Sequence, residues 1–229
     1  MPVMPLALDH LVLAARTLAE GLDWCEATLG IRPEAGGRHV FMGTHNRVFT
    51  IASAAFPRAY FEIIAIDPAL SAPGRARWFD LDDVALQRVL ARGPQLVHWV
   101  ARCTDIVAAC AAMRAGGVDC GGVERAERAT ARGPLRWQIS LRADGHRPLA
   151  GAAPALIAWD DAHPTDTLPD SGVALVAMSV AGWPEALAPL LPAGIARAAA
   201  AASGAAPPIS VRMASPRGVV TLQSTRLEG

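Results

Sequence analysis

The sequence contains no lysine; all 21 basic residues are arginine. That absence excludes a Schiff-base lysine and the phosphate-binding lysine of a Walker-type loop, and no nucleotide cofactor is expected. Guanidinium forks suit anion recognition, although an arginine bias in so alanine-heavy a chain also follows from coding composition, which carries no mechanism. The net charge is zero and no basic run occurs, so nothing draws the chain toward nucleic acid. Arg125, Arg128 and Arg132 are interleaved with Glu124 and Glu127 and read as a solvated face. There is no CxxC pair, and Cys25, Cys103, Cys110 and Cys120 are expected as buried, reduced thiols of a cytoplasmic protein. The opening MPVMPLALDH lacks the basic region and apolar core of a signal peptide. No apolar run approaches the roughly 20 residues that span a bilayer. GIARAAAAASGAAPP, from Gly194 to Pro208, is broken low-complexity sequence that reads as helix tail and linker. No membrane partner is expected.

What is present is a globular pattern, 52% hydrophobic over 229 residues, enough for one large domain or a compact domain with an appendage. LDHLVLAA from Leu8 reads as a buried strand. Thr17 then opens a T-x-x-E box with Glu20, and Leu18, Leu22, Cys25 and Leu29 follow at helical spacing up to Gly30. GGRHVF and HNRVFTIA form a hairpin turning near Gly43, and AYFEIIAI is a further strand. This β-α-β-β-β order recurs. QLVHWVARC is a strand, Asp105 caps a helix ending at Gly116-Gly117, and, after an arginine-rich connection, LRWQISLRA and PALIAW are strands. HLVLAARTL from His10 and HWVARCTDI from His98 align position by position, which points to an internal duplication. Beyond Pro164 a reduced β-α-β-β unit is expected: VALVAMSVAG, a helix from Pro184 through Leu187 and Leu191, then a hairpin around Pro216-Arg217-Gly218. It has few residues suited to chemistry and is expected to cover a sheet edge or support oligomerisation.

His10, Glu62 and His98 each lie inside an apolar strand. Burying a lone carboxylate costs several kcal/mol, so Glu62 requires an arginine, a metal, a proton or access to water. The hairpin holds His39, His45, Asn46 and Arg38. A two-residue turn sets His39 opposite Asn46 with His45 on the other face, whereas a three-residue turn puts His39 and His45 diagonally on one face. A histidine facing inward could move protons, and Asn46 and Arg38 could hold a carboxylate or carbonyl oxygen. Trp99, Trp137 and Trp159 fall on three strands of the second repeat and either line an apolar cleft or pack the core. Tyr60, the sole tyrosine, shares the face of Glu62.

LDHLVLA, GGRH..MGTHN and YFEIIAIDP together resemble the vicinal oxygen chelate superfamily, in its glyoxalase-like branch, over about residues 6 to 165. The resemblance implies an α+β fold of paired βαβββ modules, at about 6–70 and 94–162, forming a curved mixed sheet around a cleft. The domain would span 1–165, with 166–229 an accessory β-α-β-β unit packed on it. It also implies metal ligands from the first and last strands of each module, which places His10, Glu62 and His98 on three of four ligand positions. The fourth falls on Ala155 or Leu156, which cannot bind a metal; Asp160 and Asp161 come later in the strand. Two histidines and a carboxylate suit a facial iron triad or a catalytic zinc site, so a divalent ion (Zn, Fe, Mn, Ni or Co) is a candidate cofactor. Alternatively, the missing ligand marks a cleft that only binds. The implied function is a small-molecule enzyme acting on a substrate with vicinal oxygens, as a lyase, isomerase or extradiol-type dioxygenase. His39, His45 and Glu62 are the candidate catalytic residues, and Arg38, Asn46, Tyr60, Trp99 and Trp137 the candidate substrate contacts. The alternative is a resistance-type protein that sequesters a hydrophobic compound. A homodimer is compatible with either.

Overall fold

The computed structural model describes residues 5–130, 133–199 and 206–227. Arg132, the first four residues and the alanine run from 200 lie outside them. Both expected modules form. The first consists of β1 (Ala7–Ala14), α1 (Leu18–Leu29), β2 (Gly36–His39), β3 (Thr44–Thr50) and β4 (Tyr60–Ile66). A short helix, α2 (Val84–Leu90), leads to the second module of β5 (Gln95–Arg102), α3 (Ile106–Ala115), β6 (Gly122–Arg128), β7 (Leu135–Leu141) and β8 (Ala155–Trp159). The eight strands make one sheet in the order β2-β3-β4-β1-β5-β8-β7-β6. β1 and β5, the equivalent first strands, pair antiparallel at its centre, and each is flanked in parallel by the last strand of its own module. The fold class is therefore α+β, with a strongly curved mixed sheet.

Local chemistry explains the helix boundaries. Thr17 caps α1 by accepting from the Glu20 amide at 3.2 Å, while the Glu20 carboxylate turns to Arg16 instead of completing the box. Gly30 ends α1 in the left-handed conformation, with φ 79. Asp105 caps α3 through the Ala108 amide at 2.9 Å. The convex face of the sheet packs on α1 and α3 through residues such as Leu11, Leu13, Phe61 and Trp99, all buried.

The C-terminal unit departs from the expected β-α-β-β. The helix foreseen after Pro184 is a 3-10 segment over Glu185–Leu190, interrupted by Pro189, which has no amide hydrogen to extend it. Ile195–Ala198, read as part of a helix tail and linker, is instead a strand, β10, parallel to β9 (Ala174–Ala181). The expected hairpin forms as β11 (Ile209–Ser215) and β12 (Gly218–Gln223), giving the order β10-β9-β11-β12. This small sheet does not cap an edge of the large one. Leu175, Met178, Val211 and Met213 enter the same core as α1, α3 and the convex face.

The turn in GGRHVFMGTHNR is neither two nor three residues long. His39 pairs with Thr44, and four residues connect them: a 3-10 turn over Val40–Met42 and Gly43 at φ 62. His39, Thr44 and Asn46 therefore share one face, and Arg38 and His45 the other. Gly36 has its own reason: a Cβ there would lie 2.1 Å from the Asn46 carbonyl oxygen. Gly36→Ala is expected to cost about 1–3 kcal/mol in denaturant unfolding and to pull Asn46 from the cleft.

Candidate functional site

Strand alternation aims one set of side chains into the concavity. His10 registers with Tyr60 across the central parallel pair, and Val12 with Glu62; Asn46 joins from β3, and Trp137 and Trp159 from β7 and β8. The segment between modules supplies a wall. Phe79 and Asp80 both sit at φ 61, a conformation that costs non-glycine residues about 1–3 kcal/mol. The contact of Asp80 with buried Arg147, and with His146 Nδ1 at 2.9 Å, holds them there, so that Trp78 and Phe79 close over the cleft.

At the inner end lies a fully buried aspartate. The β1–β5 register slips between Leu8 and His10, and this bulge lets Asp9 reach the ring of its neighbour. His10 Nδ1 donates to Asp9 Oδ1 at 2.7 Å and Trp159 Nε1 to Oδ2 at 3.0 Å. His163 Nε2 is 3.1 Å from Oδ2, while its Nδ1 accepts from the Thr165 amide at 3.2 Å. That pair of bonds puts the His163 proton on the nitrogen facing Asp9. Burial pushes the Asp9 pKa up, but the hydrogen bonds and charges of His10 and His163 outweigh it and hold the carboxyl well below the usual range. Tyr60 stacks on His10 at 4.5 Å. Burial first, then the charges of Asp9 and Glu62, pushes its phenol well above the ordinary value, so it remains a donor.

With Nδ1 committed to Asp9, His10 Nε2 is directed into the cleft, 3.6 Å from Glu62 Oε2. Glu62 Oε1 accepts from Asn46 Nδ2 at 2.6 Å. Asn46 is oriented in turn by the Gly37 amide, which donates to its Oδ1 at 2.9 Å. Its amide nitrogen also lies 3.4 Å from His39 Nε2, and His39 Nδ1 is 3.2 Å from Thr44 Oγ1. His39 thus sits in the cleft as a neutral imidazole supporting Asn46. Burial above all, then the charges of Arg128, His10 and His45, pushes its pKa down to about 3. His98 is shifted down by burial as well, with Arg147 next.

These two histidines set a pH dependence. A histidine whose folded pKa lies below its unfolded value of about 6.5 leaves the unfolded chain binding more protons, so stability falls as pH drops through 6.5. For His39 the fall ends near pH 3. Unfolding free energy is expected to decline by about 1.4 kcal/mol per pH unit for each such imidazole, and His39→Gln should reduce the slope measured by urea unfolding between pH 7 and pH 5.

The expected metal triad comes together only in part. His10 and Glu62 are neighbours, but His98 Nε2 accepts the Ala155 amide at 3.0 Å, and its ring packs on Phe79 at 5.1 Å. Among the described residues no group of three or more His, Cys, Asp or Glu side chains is placed to hold a metal ion. A zinc or facial-triad site needs three protein donors, and the donor set does not fit one.

Three further expectations are corrected by the register. Arg38 and His45 face away from the cleft toward buried Asp67, with Arg38 Nε at 2.8 Å and His45 Nδ1 at 3.7 Å from its Oδ2. Trp99 belongs to the convex-side core, where Nε1 donates to the Ala152 carbonyl at 3.2 Å. Arg128 is not part of a solvated face. It leaves β6, crosses Gly37 on the opposite edge strand, where a Cβ would meet its Nη1 at 2.6 Å, and lines the cleft. That Nη1 is buried and has no hydrogen-bond partner among the described residues. The four cysteines are buried and free, with burial pushing Cys25, Cys103 and Cys120 up to about 12. No helix among the described residues is long and apolar enough to cross a membrane.

Among solved structures, the chain is similar to a hypothetical protein from Staphylococcus aureus, at 18% identity over 78% of this chain and 70% of that one, with a TM-score of 0.52. It is also similar to methylmalonyl-CoA epimerase from Mycobacterium tuberculosis, at 18% identity over 72% and 96% of the two chains, TM-score 0.42. A Streptomyces coelicolor methylmalonyl-CoA epimerase variant in complex with 2-nitronate-propionyl-CoA matches at 18% identity over 68% and 98%, TM-score 0.42. At such identities the likeness concerns fold alone. No curated protein matches the sequence. A family profile described as "Glyoxalase-like domain" matches residues 8–194, most of the chain and both modules. The chain belongs to this glyoxalase-like domain family.

Proposed function

We propose that the cleft catalyses proton transfer on a small substrate with neighbouring oxygens, as an isomerase or lyase, using its own side chains as acid and base. The observation that carries this reading is the geometry of His10: Nε2 is directed into the cleft 3.6 Å from Glu62, and Nδ1 is fixed by a fully buried Asp9. A base so oriented takes the proton from a carbon beside a carbonyl. The imidazolium that forms lies between Asp9 and the Glu62 carboxylate. Negative charge gathers on the substrate oxygen, and the free Arg128 Nη1 is the donor available to it. His10 then returns the proton to the adjacent carbon or to a leaving group. Asn46 holds Glu62 in place, and His39 holds Asn46. The dioxygenase variant has less support, because it requires the three-donor iron site that His98 does not complete.

A second reading, a binder without turnover, is favoured by the aromatic walls of Trp78, Phe79, Trp137 and Trp159. Incubation in D2O with α-hydroxyaldehydes, α-hydroxyketones and 2-substituted acids, followed by proton NMR, separates the two. An acid–base enzyme exchanges the acidic C–H of its substrate, whereas a binder broadens ligand signals without exchange.

A further inference from the structure

Space around the site is unevenly distributed. Beside His10 and Glu62 the cleft leaves about 30 Å3, room for a couple of waters or one small polar group. Arg128 and Val48 also border a second space of about 300 Å3, walled by Ala35, Leu135, Pro164 and Leu168. Past Ala35, Val48 and Leu168, which both spaces share, runs a groove of about 410 Å3 that reaches Ile31, Phe49 and Pro169. Val48 borders all three spaces, and Arg128 borders the first two. A narrow polar end, a guanidinium at the neck and a long, mostly apolar exit make a series that no compact substrate would fill.

We propose that the substrate is amphipathic, with a carboxylate or acyl-oxygen head held by Arg128 beside His10 and an unbranched apolar tail lying along the Val48–Leu168 groove. This deepens the acid–base reading of the same cleft and rests on it for the head. The free Nη1 of Arg128 matches an anionic oxygen, which also offsets the repulsion such a head would meet from Glu62. The tail is assigned by continuity: the groove is the apolar extension of the one opening to the site, and burying methylenes there supplies affinity that the tight head region cannot.

The test is a binding series of straight-chain 2-hydroxycarboxylates from about four to about twelve carbons, followed by fluorescence of the cleft tryptophans and by calorimetry. Affinity should rise by up to about fourfold per methylene over part of the series and then level off. Leu168→Arg should flatten the rise, and Arg128→Gln should weaken the carboxylates while leaving the matching alcohols unaffected. Wild-type affinity independent of chain length overturns the proposal, as does a rise that Leu168→Arg leaves intact. His10→Ala should keep the chain-length series. If the series holds and no C–H exchange is found, the acid–base reading fails while the groove assignment stands.

Discussion

Replacing Asp9 with alanine is expected to lower the unfolding free energy by about 3–5 kcal/mol, the range for removing one member of a buried, hydrogen-bonded charge cluster. Asp9 is wholly buried and faces ring N–H groups of His10, His163 and Trp159, with Arg102 Nη1 at 3.8 Å. Each is left without its acceptor when the carboxylate is removed. Asp9→Asn keeps the shape and one acceptor and should cost less. The pH dependence follows from the sign of the shift. Because the folded pKa is depressed, the contribution of Asp9 is complete above about pH 4, the unfolded value, and is lost as pH falls toward the folded one. The wild-type acid limb should therefore be steeper below pH 4 than that of Asp9→Asn, as chemical denaturation at a series of pH values would show.

His10→Ala should lower turnover by about 10^2–10^4-fold, the usual contribution of a positioned general base, with little change in the far-UV spectrum. Glu62→Gln removes the charge beside the imidazolium but keeps an acceptor for Asn46, so a smaller fall in kcat is expected, with KM nearly unchanged. Asp9→Asn should resemble His10→Ala in kcat, because it releases the tautomer that points Nε2 into the cleft. A fall in kcat alone for the His10 and Asp9 variants, against a fall in kcat together with a raised KM for Arg128→Gln, would separate the base from the group that holds the head and its developing charge.

Much of this arrangement was legible in the sequence. The duplicated apolar strands, the caps at Thr17 and Asp105, and Gly30 announced both modules, because buried strands and capped helices leave strong local patterns. β6 was missed for the opposite reason. GVERAER is an edge strand, largely exposed, with no apolar alternation to mark it, and its loss from view hid Arg128 inside a supposed solvated face. Strand alternation puts Tyr60 on the face of Glu62, and the family resemblance brings His10 and Glu62 to the cleft. Asp9 could not be placed in this way, since a bulge reverses the direction that alternation assigns. Nor could His163, which reaches Asp9 from a residue 154 positions later. The hairpin face depended on a four-residue connection, and the position of His98 on a backbone amide of β8. Both are tertiary facts without a sequence signature.

The central claim is that His10, oriented by Asp9 and paired with Glu62, moves the substrate proton with side chains alone. Its most direct test is solvent-deuterium incorporation into a substrate, measured on protein dialysed exhaustively against a chelator. The account predicts that exchange persists at the untreated rate and collapses in His10→Ala. Exchange that disappears on chelation and returns with a divalent ion, or that survives in His10→Ala, would contradict it.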